Sequence, residues 1–122
     1  MQNKFGEFLK ELRMRAGLSL REYCLKNGLD PGNYSRVERG RFRPPQDREI
    51  VERYATALGL ERGCDEWLRL FDLAAAERGQ IPDDIMSDEQ LVDKLPVLFR
   101  TIRATRVSPE KLDEFIETIR RS

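Results

Sequence analysis

The sequence predicts an all-α fold, on three observations. Apolar residues recur at three- and four-residue spacing along nearly the whole chain, the period of a helix with one buried face. Each such run opens on a capping residue or closes on a glycine. No segment alternates apolar and polar residues as a half-buried strand does. Charged residues make up 36% of the chain and hydrophobic ones 39%, a balance that suits a helix-rich soluble protein better than a β protein. At 122 residues the chain is one domain, or one small domain with an appendage. That length can bury a real core without metals or disulfides.

The elements follow in order. Phe5, Phe8, Leu9 and Leu12 fall on one stripe of a first helix that Gly17 ends. Ser19 opens the second helix, and Glu22 three residues later completes a capping box. Tyr23 and Cys24 supply its inner face and Gly28 stops it. Asp30 is an N-cap with Pro31 at the first helical position, where a missing N–H costs nothing. This third helix runs through Val37 to Arg39 and ends at Gly40, and the loop Arg41-Phe42-Arg43-Pro44-Pro45 follows. The fourth helix turns Ile50, Val51, Tyr54, Ala55 and Leu58 inward and stops at Gly59. The fifth begins near Asp65, buries Trp67, Leu68, Phe71 and Ala75, and ends at Gly79. Residues 80–87 read as an acidic linker. Ser87 with Gln90 makes another capping box, before an apolar stripe of Leu91, Leu95, Leu98, Phe99 and Ile102. Pro96 is expected to break that stretch into two short helices or to kink it. Ser108-Pro109 starts a last helix with Leu112, Phe115, Ile116 and Ile119 inside.

Composition excludes several functions. With no histidine, imidazole zinc sites and Ser-His or Cys-His nucleophiles drop out. Cys24 and Cys64 stand far from metal-ligand spacing and read as small core residues, reduced in a cytosolic protein. Asp83-Asp84 and Asp88-Glu89 read as linker and helix N-terminal charge. No residue set supports an enzyme, and no cofactor or metal is expected. No apolar run approaches a membrane span, and the start lacks the apolar stretch of a signal peptide, so a cytoplasmic, nucleoid-associated location is expected. The net charge is zero but unevenly spread. Residues 1–45 hold ten basic and five acidic side chains, a net of +5. Residues 61–93 hold three basic and ten acidic ones, a net of −7. A basic front half is the asymmetry of a module that binds a polyanion.

The informative unit is Ser19 to Gly40. Two capped helices joined by the three-residue turn Gly28-Leu29-Asp30 must cross steeply, which makes a helix-turn-helix whose second helix can enter a DNA major groove. Asn33 can pair with adenine and Arg36 with guanine, each pairing contributing ~1–3 kcal/mol of discrimination. They lie three apart, on one helix face. Arg39, Arg41 and Arg43 project from the helix end and loop and suit phosphate contact.

Leu18-Ser19-Leu20-Arg21-Glu22-Tyr23, then Asp30-Pro31-Gly32-Asn33-Tyr34-Ser35-Arg36-Val37-Glu38-Arg39-Gly40, with Pro44-Pro45 and Ala57-Leu58-Gly59, resembles the Cro and phage-repressor-like regulators, the xenobiotic-response-element family. The resemblance covers about residues 4–76. It implies a five-helix lambda-repressor-like bundle, here with a helical C-terminal extension, that binds palindromic operators in double-stranded DNA as a dimer. It further implies that Ser19 caps the second helix near a phosphate, and that Pro31, Gly32, Asn33 and Arg36 face the groove. Tyr34 and Val37 would pack inward, and Arg13 would pair with Glu38 beneath the recognition helix. The DNA-binding set is then Ser19, Arg21, Gly32, Asn33, Arg36, Arg39, Arg41 and Arg43. Pro31 and Gly32 offer no polar side chain where relatives place glutamine or serine, so DNA shape carries more of the specificity.

The expected organisation is a DNA-binding domain over 1–79, the linker over 80–87, and a helical tail over 88–122 that dimerises, binds a partner or folds back on the fifth helix. The function expected is a transcriptional repressor acting as a homodimer. The alternative is an antitoxin or regulatory partner whose tail binds a toxin or a metallopeptidase.

Overall fold

Capping side chains set the beginning of nearly every helix. In the computed structural model, which describes residues 3–122, eight α-helices follow one another, with no strand among the described residues. They are α1 Lys4–Arg15, α2 Leu20–Asn27, α3 Pro31–Glu38, α4 Arg48–Ala57, α5 Asp65–Arg78, α6 Asp83–Met86, α7 Glu89–Thr105 and α8 Pro109–Arg120. The chain divides into two compact units, one ending at Pro82 and one running from Asp83 to Ser122.

In the first unit, the side chains of Ser19, Asp30 and Asp47 accept the N–H groups of Glu22, Asn33 and Glu49. Each satisfies a donor that the first helical turn leaves unpaired. Cys64 does the same for α5, its sulfur taking the Trp67 N–H at 3.4 Å. Cys64 is therefore a half-buried cap, a correction to the core position expected of it. Cys24 is fully buried.

The core of this unit gathers one face from each of α1 to α5. α1 packs on α3 and α5, α2 on α3, and α4 on α5. Tyr34 of α3 sits between Tyr23 of α2 and Tyr54 of α4, with ring centroids 4.9 and 5.1 Å away. With Val37, it anchors the inner face of α3, each such burial contributing ~1.5–3 kcal/mol. The inward face of α5 is rotated from the one expected. Trp67, Leu70 and Ala74 are buried, Leu68 is exposed, and Phe71 and Ala75 are half-buried. Trp67 and Leu70 mark the stripe, and Leu68 falls one position off it. Ile50 likewise lies outside the buried face of α4.

The second unit differs from its expected layout in three places. The segment expected as linker holds the one-turn helix α6. Ser87 does not cap α7, because its hydroxyl donates to the Asp84 carbonyl at 2.8 Å and closes α6. Asp88 is the cap instead, accepting from the N–H groups of Gln90 and Leu91. α7 also stays one helix through Pro96, so of the two outcomes expected there the break into two short helices does not occur. Proline removes a single ladder hydrogen bond, and Pro96 itself is exposed. α8 starts on Ser108, which accepts the Lys111 N–H, with Pro109 at its first position. None of α6, α7 and α8 buries a residue.

Candidate nucleic-acid interface

The turn between α2 and α3 is closed from both sides. Gly28 adopts the left-handed conformation at φ 65°, a region open to glycine at little cost. That conformation lets the Leu29 N–H reach the Cys24 carbonyl at 2.8 Å. Asn27 donates to the Tyr23 carbonyl, also at 2.8 Å. The far end of α3 closes similarly. Gly40 and Arg41 donate to the carbonyls of Val37 and Arg36, the paired bonds of a left-handed helix stop. Phe42 adds a second N–H to the Arg36 carbonyl at 3.3 Å.

This closure folds the loop back beside the outer face of α3. The Arg36 guanidinium lies 5.6 Å from the centroid of the Phe42 ring and donates to Asn33 Oδ1 at 3.3 Å. The structure therefore brings Asn33 and Arg36 together as one polar pair backed by an aromatic ring. Pro31, Gly32 and Asn33 are exposed along the leading edge, as are Arg36 and Phe42. Arg39 caps α3 and turns its Nε to the Ser35 carbonyl at 3.3 Å. Arg41 and Arg43 are exposed in the loop. Ser19 and Arg21 are exposed at the start of α2.

Beneath this surface lies one buried ion pair. Arg13 donates from Nε to Glu38 Oε2 at 2.8 Å and from Nη2 to Oε1 at 3.0 Å. Its Nη1 donates to the Leu18 carbonyl at 2.9 Å. Side-chain exposures of 9% and 4% make this a desolvated, two-pronged pair. The hydrogen bond to Glu38 holds the Arg13 guanidinium above its ordinary pKa. It ties α1 to the end of α3 and so fixes the helix from behind.

A family model described as a helix-turn-helix domain matches residues 4–67. The chain belongs to that helix-turn-helix family. The match spans α1 to α4 and the start of α5, and a helix-turn-helix domain of this kind is a DNA-binding module. No curated protein and no solved structure matches the chain.

Four positions that orient the helix-turn-helix escape a reading of the sequence. Asn3 donates from its amide to the Glu38 carbonyl at 2.9 Å. At Gly6, a Cβ would collide with the carbonyl oxygens of Val37 and Glu38, so only glycine lets α1 approach α3 this closely. Arg78 of α5 donates to the Pro44 carbonyl at 2.6 Å and to Gln46 Oε1 at 3.2 Å, which pins the loop carrying Arg41 and Arg43. Phe42 backs Arg36. The one local signal was Gly6, a glycine inside an otherwise apolar helical stripe, where it disfavours the helix by ~1 kcal/mol relative to alanine. The other three act through partners 32 to 35 residues away, or through a loop whose path only the fold defines.

Proposed function

We propose that the protein is a transcriptional repressor of the Cro and phage-repressor-like kind. It binds a palindromic operator in double-stranded DNA as a homodimer, with α3 in the major groove. The observation that supports this most is the pairing of Asn33 with Arg36 on the exposed leading edge of a helix anchored from behind. Together they offer the donors and acceptors that read adenine and guanine edges. Gly32 admits the sugar-phosphate wall closely, while Arg39, Arg41 and Arg43 neutralise phosphates on one flank, and on the other Arg21 neutralises a phosphate near the Ser19 hydroxyl. A dimer places two such helices about 34–36 Å apart, one turn of duplex.

The test separates readout from attraction. Arg36→Ala relaxes preference at one operator position, at a cost of ~1–3 kcal/mol on the preferred base. Arg43→Ala weakens all sequences alike and lowers the salt slope by ~0.9 for each lost phosphate contact. Fluorescence anisotropy over a salt series, with matched and mutated duplexes, reads both. Equal behaviour of the two variants overturns the assignment of roles.

A second reading has one observation in its favour. The apolar face of residues 83–122 is unburied within that unit, which suits an antitoxin or regulatory partner that holds a toxin or metallopeptidase. It predicts a tail that orders only with that partner.

A further inference from the structure

Residues 83–122 form a unit whose three helices bury no side chain. Forty residues without a core do not hold together in water unaided, and isolated helices of the length of α8 are marginal. Yet α7 and α8 are strongly amphipathic, and Phe99, Phe115 and Ile119 are 43%, 50% and 57% exposed. Between the two helices lies an open groove of about 390 Å³, walled by Leu98, Ile102, Val107, Leu112 and Phe115. An apolar groove beside an amphipathic helix of matching character is a surface that complements itself.

Charge selects the occupant. From Lys94 onward, α7 and its cap carry only basic side chains, at Lys94, Arg100, Arg103 and Arg106. α8 carries Glu110, Asp113, Glu114 and Glu117, against Lys111 and a basic C-terminal end. Exposed pairs within α8, Lys111 with Glu114 and Arg120 with Glu117, are of the weak surface kind. The basic half of α7 thus matches the acidic half of α8.

We infer that the partner of this unit is a second copy of itself. α7 of each protomer receives α8 of the other across a twofold axis, closing one shared core from two open grooves. This assignment rests on the homodimer reading above and names the surface that makes it.

A charge exchange tests it on the full chain. One variant carries Lys94→Glu, Arg100→Glu and Arg103→Glu; the other carries Asp113→Lys, Glu114→Lys and Glu117→Lys. Sedimentation is expected to give twice the chain mass for the native protein, the monomer mass for each variant alone, and a mixed dimer on combining them. Phe115→Glu is expected to give a monomer whose first unit still melts cooperatively. A native monomer at tens of micromolar, or charge variants that remain dimers alone, overturns the proposal. So does a tail that doubles in mass only with a different protein. A dimer that retards no DNA leaves this interface standing and overturns the repressor reading instead. A monomer that still binds half an operator overturns this interface and the homodimer with it, and leaves only α3 as the DNA-reading helix.

Discussion

The two units carry the same kind of amphipathic helix and use it differently. Every buried apolar side chain among the described residues lies between Phe5 and Ala74. Residues 83–122 carry stripes as regular as those of α1 or α4 and bury none. An apolar period states that a face will be covered, and it does not state by what. In the first unit the covering elements are neighbours in the same chain. They hold α3 so firmly from behind that its outer face is free to be polar. In the second unit no element of the unit itself supplies that cover.

The contrast predicts where substitutions will be felt, and the largest effect falls at the buried pair. Arg13→Ala or Glu38→Ala strands an unpaired charge beneath α3 and is expected to cost about 3–5 kcal/mol in urea unfolding of the first unit. Replacing both by apolar residues of similar volume is expected to recover most of that loss. Next comes Gly6→Ala, which drives a methyl group against the Val37 and Glu38 carbonyls and is expected to cost about 1–3 kcal/mol. Ile119→Ser, in the second unit, is expected to leave the unfolding of the first within ~0.5 kcal/mol. A large shift there would break the division between the two regions.

Alkaline stability sharpens the same comparison. Burial pushes the Tyr23 phenol up to about 12 and raises those of Tyr34 and Tyr54. The unfolded chain loses these protons near pH 10, before the folded chain does. The contribution of Tyr23 is therefore complete below pH 10 and is lost as pH rises from there through about 12, and those of Tyr34 and Tyr54 also decline as pH climbs above 10. All three tyrosines lie in the first unit, so tyrosinate absorbance is expected to rise together with its unfolding. A small effect is also expected at Tyr34→Phe. The buried Tyr34 hydroxyl makes no hydrogen bond of good geometry, so its removal is expected to change stability by less than ~1 kcal/mol.

What the sequence reveals divides along the line between local and distant causes. Ser19, Asp30 and Ser108 cap helices as their sequence context predicts, because a cap depends on residues two or three positions away. Gly28 and Gly40 stop helices for the same reason. Where two local caps compete, at Ser87 and Asp88, the spacing rule chose the wrong one, since the Ser87 hydroxyl was already committed to the preceding turn. The exposed Arg36 and Asn33 were legible as a pair from their spacing. The backing by Phe42, the clamp from Arg78, and the close approach at Gly6 were not, because each depends on where a distant backbone returns. The rotation of α5 belongs with them: the apolar spacing points inward at Leu68, whereas the core takes Leu70.

The central claim is that the outer face of α3 reads sequence in a duplex. Selection of the native protein on a random duplex library tests it most directly. Enrichment is expected of an inverted repeat with half-sites about one helical turn apart, contacted through positions that Arg36 and Asn33 control. A bound pool whose base composition matches the input library would contradict it.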